Sequence, residues 1–139
     1  LKKYLMRFYL FLFSLSLLFN ACISAKIKTT DFIEKQWELT EIDGAAVTDT
    51  DFTRTPQLFF KSDGSFGGND GCNGMGGLYN LENEKITLSE VIGTKMFCEE
   101  AKDRLFNSLI ANAEKVKVLN DKLTFYTNDK IVLVFKKID

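Results

Sequence analysis

The sequence predicts a mainly β protein of the α+β kind, a small antiparallel barrel or rolled sheet with one α-helix. Three observations lead there. Short apolar runs alternate with polar residues at period two, turn signals recur about every ten residues, and one stretch alone has helical periodicity.

The chain opens as an export signal. Lys2, Lys3 and Arg7 precede an apolar run from Phe8 to Phe19, broken only by Ser14 and Ser16. That core of about 12 residues falls short of the roughly 20 a membrane-spanning helix needs. Ala21 then precedes Cys22, an arrangement that resembles the lipobox of bacterial lipoproteins, although Phe19 and Asn20 replace the commoner Leu and small residue. Residues 1–21 are therefore read as a lipoprotein signal peptide, with Cys22 as the lipid attachment site. An ordinary secretory peptide cut near Ala21 or Ala25, or a retained anchor, is the alternative. Two or more acyl chains would hold the protein stably at a membrane. Residues 22–34 read as a tether and 35–139 as the folded domain.

Within the domain, Gln36 to Ile42 alternates and turns Trp37, Leu39 and Ile42 inward, and Asp43-Gly44 follows as a turn. Gln57 to Lys61 is the next strand. Asp63-Gly64 gives the strongest hairpin signal, with Phe66 opening the return strand. Leu78 to Leu81, Lys85 to Leu88 and Val91 to Phe97 add three more. Glu99 to Ala113 reads as the helix, with Ala101, Leu105, Leu109 and Ile110 on its apolar stripe and acids in its first turn. A meander closes the chain: Val116 to Leu119, Lys122 to Tyr126 and Ile131 to Phe135, joined by Asn120-Asp121 and Asn128-Asp129.

Composition narrows the function. Without residues 1–21 the chain keeps 15 of its 18 basic residues against all 19 acids, a mildly acidic balance. Nucleic-acid binding is not expected, since a basic stripe would have to supply the affinity. There is no histidine, the commonest general base and zinc ligand. The remaining 118 residues suffice for one domain with a single core.

Five motifs recur in the order of the META domain, the HslJ-like family. They are Trp37-x-Leu39 with Ile42-Asp43-Gly44, Leu58-x-Phe60-x-x-Asp63-Gly64, Gly71-Cys72-Asn73-x-x-x-Gly77-x-Tyr79, Thr94-x-Met96-x-Cys98, and Leu105-Phe106. The resemblance covers about residues 34–136, with Phe97 where the family often has Ala. It implies a lipocalin-like, barrel-related fold with a helix, found in many envelope lipoproteins and linked to stress responses or virulence. It implies no reaction. Gly71, Asn73, Gly77, Thr94 and Met96 are the family-motif residues.

Cys72 and Cys98 are the thiols left once Cys22 is acylated, and an exported protein meets an oxidising compartment. A disulfide is expected, closing a loop of about 27 residues worth roughly 3–4 kcal/mol. Two buried thiols or a redox pair are the alternatives, the latter lacking Cys-x-x-Cys spacing. The stretch 67–77 holds six of the nine glycines and reads as a tight, bulged connection. An anion cradle or calcium loop around Asn69, Asp70 and Asn73 lacks the Lys-Ser/Thr or the closing Glu such sites need. Asn73 is expected to bond the loop's own backbone. Glu82 with Glu84, and Glu99 with Glu100, read as exposed carboxylates. Of 13 phenylalanines, Phe8, Phe11, Phe13, Phe19 and Phe32 fall outside the predicted sheet and helix, leaving eight to fill the barrel.

The expected protein is a lipid-anchored, monomeric, non-catalytic envelope protein at the outer membrane, periplasmic side or surface. It acts by binding an envelope protein or wall component in a stress-related role and uses no metal or cofactor. A carrier of small hydrophobic ligands, or an inhibitor of a hydrolase such as lysozyme, is the alternative.

Overall fold

The computed structural model describes residues 29–99 and 102–138; the signal segment and Cys22 lie outside the described residues. After one 3₁₀ turn at Thr29–Asp31 come β1 (Gln36–Ile42), β2 (Ala45–Ala46), β3 (Gln57–Phe60), β4 (Ser65–Asn69), β5 (Gly74–Glu82) and β6 (Lys85–Gly93). Then follow α1 (Lys102–Ala111), β7 (Lys115–Leu119), β8 (Lys122–Thr127) and β9 (Lys130–Ile138). The sheet is antiparallel throughout, in the order β2-β1-β3-β4-β5-β6-β7-β8-β9, and β1 also pairs with β9. The sheet thus curls into a ring around the core, as a mainly β fold with one helix. The ring is thinnest between β6 and β7, which meet at the single Cα pair Lys85↔Lys115.

Turn chemistry sets the meander. Asn120, Asp121, Asn128 and Asp129 all take positive φ, from 49° to 61°. Two such residues in a row make the turn whose twist matches a two-residue hairpin, and Asn and Asp tolerate it best after glycine. At the Asp63-Gly64 hairpin only Gly64 is left-handed, at φ 85°. Lys61 N donates to Ser65 O and Gly64 N to Lys61 O, so this loop is longer than the two-residue turn the dipeptide predicts.

The interior is filled by side chains. Phe32, Trp37, Phe60, Phe106, Phe125 and Phe135 are fully buried, with Leu58, Ile86, Val116, Leu123 and Leu133 between them. Edge-to-face contacts link Phe32 to Phe60 at 5.0 Å and Phe125 to Phe135 at 5.7 Å.

Four readings of the sequence change here. Phe32, placed in the tether, is core: its ring packs on Phe60 and Tyr79, and its carbonyl accepts the buried Trp37 Nε1–H at 2.9 Å. Phe97, counted among the interior rings, is 91% exposed. The strands expected at 85–88 and 91–97 are one strand, β6, ending at Gly93; residues 94–98 run on without a ladder. The described helix begins at Lys102, and its buried residues are Phe106 and Ile110, while Leu105 faces outward. Phe106 wins because its ring meets Phe135 at 6.3 Å, a contact that helical periodicity alone does not reveal.

Candidate functional site

The β4–β5 connection and the segment after β6 meet at one end of the ring, and nearly every motif residue contributes to that junction. The connection itself is short. Most of the glycine-rich stretch is strand, with Gly67 and Gly68 in β4 and Gly74, Gly76 and Gly77 in β5, leaving residues 70–73 to turn the chain. The expectation that the whole stretch 67–77 is a tight, bulged connection is corrected accordingly: only residues 70–73 connect the strands. These glycines serve close approach between strands. A Cβ on Gly77 would lie 2.7 Å from Ser89 O and 2.9 Å from the Phe66 ring. It sits where the β5–β6 register slips between Gly76 and Leu78, a bulge opposite left-handed Glu90. Gly71 takes φ 97°, and a Cβ there would meet the Phe52 ring at 2.3 Å.

Asp70, 4% exposed, organises the turn. Its Oδ1 accepts the Cys72 and Asn73 backbone N–H groups at 2.9 and 2.5 Å, and its Oδ2 accepts Asn107 Nδ2–H at 2.7 Å from α1. The carboxylate therefore ties the turn to the helix, with its lone pairs facing N–H donors in place of a cation. Asn69 Oδ1 accepts Gly71 N–H at 3.0 Å.

Asn73 behaves differently from the expected local turn. It reaches across to the segment after β6: its Oδ1 accepts Met96 N–H at 2.6 Å and Thr94 Oγ1–H at 3.0 Å, and its Nδ2 donates to Met96 O at 3.3 Å. Thr94 Oγ1 in turn accepts Gly74 N–H at 3.2 Å, and Thr94 N donates to Gly74 O at 3.1 Å. Met96 thus joins through its backbone while its side chain stays 58% exposed. The Cys72 and Cys98 sulfurs lie at bonding distance with Cα atoms 6.0 Å apart, within the span of a disulfide. Covalent and polar fastenings pin residues 94–98 over residues 70–74.

Around this junction the surface is apolar in an unusual degree for an exposed strand end. Val91 is 49% and Ile92 75% exposed, beside Met96 and Phe97. A groove of about 370 Å³ runs between the end of β6 and α1, bordered by Val91, Gly93, Lys95, Asp103 and Asn107 over Asp70. Asp103 Oδ1 is buried there, and among the described residues no group hydrogen-bonds to it. A second, shallower groove of about 640 Å³ lies on the outer sheet face, lined by Phe59, Met75, Ile92 and glycines. Among the described residues no group of three or more His, Cys, Asp or Glu is placed to hold a metal ion, and no helix is long and apolar enough to cross a membrane.

Sequence reasoning found Gly71, Cys72, Asn73, Gly77, Thr94, Met96 and Cys98 at this junction but missed Asn107, Phe52 and the central place of Asp70. Asp70 and Asn107 are 37 positions apart, and no local pattern joins them. The family model for the META domain matches residues 30–139.

The chain belongs to the META domain family.

No curated protein matches the sequence. Solved structures do. A protein solved by NMR superposes with TM-score 0.66 at 21% identity, covering 79% of this chain and 94% of its own. An NMR structure of a protein from Burkholderia xenovorans gives 0.61 at 21% identity, with 77% and 83% covered. A crystal structure of a DUF4847 family protein from Bacteroides vulgatus gives 0.57 at 16%, with 78% and 96% covered. At these identities the likeness is one of fold. The shared feature is a small β fold, seen also in chains from Burkholderia xenovorans and Bacteroides vulgatus.

Proposed function

We propose that the chain is a lipid-anchored protein of the bacterial envelope that works by binding, through the ring end that carries the family motif. One observation carries this: Met96 and Phe97 present exposed apolar side chains on a segment held rigid by Cys72–Cys98 and Asn73. Rigid apolar anchors are what interfaces use, because little side-chain and loop entropy remains to be lost on docking.

The direction of the chain supports the reading. Glu34 N donates to Phe60 O and Glu34 Oε1 accepts Ser62 N–H, so the described chain enters beside the β3–β4 turn. The motif junction lies at the other end of β4 and β5. Five-residue β4 runs from that turn to the junction, about 17 Å. A tether from Cys22 would thus enter at the end of β4 opposite the junction and leave the junction clear of the attachment point. The interior a hydrophobic carrier would need is taken up by Phe32, Trp37 and Phe60, which favours the surface over the core as the working part.

A photo-cross-linking amino acid placed at Phe97, and for comparison at Asn83 in the β5–β6 turn, tests the reading in intact cells. A reproducible adduct from position 97 that is absent from 83 supports it. No adduct from 97, in resting cells or under heat and envelope stress, contradicts it. The stress-related role implied by the family resemblance predicts a stronger adduct under stress.

A further inference from the structure

We propose that the open edge of β6, with the groove between it and α1, accepts an extended basic segment of a partner protein as an added strand. The inference rests on the binding role above and names the partner's chemistry.

The edge is real in the ladder. β6 pairs with β5 from Lys85 to Gly93, but with β7 only at Lys85. Ile86 N donates across that short junction to Glu114 O, whereas Thr94 N donates the other way, to Gly74 O on β5. Alternation along an antiparallel strand then turns the Leu88 N–H and C=O to the open side. Among the described residues no strand covers these groups. Proteins usually blunt such an edge with bulges and charges. The bulge at Glu90, φ 50°, does so only in part, since Val91 and Ile92 beyond it remain exposed.

Charge chooses the occupant. The groove's opposite wall is α1, where Asp103 and Asn107 stand one turn apart on one face. Asp70 and Asp103 border the groove, neither in an ion pair among the described residues, against Lys95 alone on the rim. Among the described residues Asp103 Oδ1 has no hydrogen-bond partner. Lys or Arg on an added strand would balance the Asp103 charge, and apolar residues alternating with it would cover Val91 and Ile92. A second copy fits worse: its β6 edge beyond Lys85, residues 86–93, carries no Lys or Arg to meet Asp103. Strand addition of this kind draws affinity from main-chain bonds and selectivity from alternate side chains.

The test uses the full chain in detergent and a fluorescent octapeptide alternating Lys and Val. Two comparison peptides are used: a Glu/Val octapeptide, and the Lys/Val peptide N-methylated at alternate residues. The Lys/Val peptide is expected to bind at least tenfold more tightly than either, and to slow amide exchange at residues 87–93. Asp103→Asn is expected to weaken it at least fivefold with melting temperature unchanged. Equal affinity for the three peptides, no binding, protection elsewhere on the ring, or a concentration-dependent dimer through β6 would overturn the proposal. If the peptide fails while position 97 still cross-links, the strand-addition model falls and the binding role stands. If both fail, the binding role falls too.

Discussion

Asn73 and Met96 clasp each other as two strand residues would: the Asn73 amide accepts the Met96 N–H at 2.6 Å and returns a bond to the Met96 carbonyl at 3.3 Å. A side chain thereby continues the β5–β6 ladder past its last backbone bond, Thr94 N to Gly74 O. This explains why an asparagine stands at that place: only an amide offers donor and acceptor on one planar group. Asn73→Ala should cost about 1–3 kcal/mol, from several hydrogen bonds at about 0.5–1.5 kcal/mol each with partial solvent replacement. Urea titration measures it. Exchange of the Met96 amide should accelerate while that of the β8 and β9 amides barely changes. Asn73→Asp keeps the acceptor but not the donor and should fall between.

The Cys72–Cys98 bridge closes a loop across 26 positions and holds residues 94–98 to the sheet. The Cys72→Ser/Cys98→Ser double variant should lose about 3–4 kcal/mol in the chain-entropy estimate. For a small domain that is a large part of its net stability. Thermal melting with and without reductant gives the comparison, and reductant should have no effect on the double variant.

Gly71 combines a backbone that side chains resist with a ring that leaves no space. Its φ is 97°, and an added Cβ would approach Phe52 Cδ1 to 2.3 Å. Gly71→Ala should destabilise by about 2–4 kcal/mol, from left-handed strain and overpacking together. Gly74→Ala, with nothing within 4 Å of the added carbon, is the control and should cost far less. Recovery in Gly71→Ala/Phe52→Leu, by a double-mutant cycle, would assign the clash to Phe52.

Acid should weaken the ring where β1 meets β9. The Lys136 ammonium beside Glu38 holds that carboxyl below its usual range, with Gln57 helping and burial opposing. A carboxyl whose folded pKa is depressed adds stability that is full above its unfolded value and lost as pH falls through the folded one. Stability should thus decline below about pH 4–5. Glu38→Gln should remove about 0.5 kcal/mol at pH 7 and flatten that decline, a modest effect because the pair is partly exposed. Melting temperature from pH 7 to 3, at low and high salt, reads it.

How much of this was legible depended on distance along the chain. The hairpins at Asn120-Asp121 and Asn128-Asp129 were readable because the turn's geometry and its residue chemistry are the same local fact. β1 was readable because Trp37 and Leu39 alternate with polar neighbours; Ile42, three positions on, is buried with them because the register slips between Leu39 and Glu41. Phe32 was not, since its flanking residues are polar and only Phe60 and Tyr79, far along the chain, draw it inward. The glycines misled for the same reason. Glycine usually signals a loop, but Gly67 lies in a strand beneath the Phe59 ring, where a Cβ would come within 2.7 Å. The disulfide partners were legible from compartment reasoning, whereas the Asp70–Asn107 bond needed the helix docked on the ring.

The central claim is an exported domain, tethered at Cys22 and pinned at its far end by Cys72–Cys98. Intact mass of the protein purified from its native membrane, alkylated with and without prior reduction, tests both halves at once. The account predicts a diacylglycerol-sized gain on Cys22 and alkylation of Cys72 and Cys98 only after reduction. An unlipidated chain with both thiols freely alkylated would contradict it.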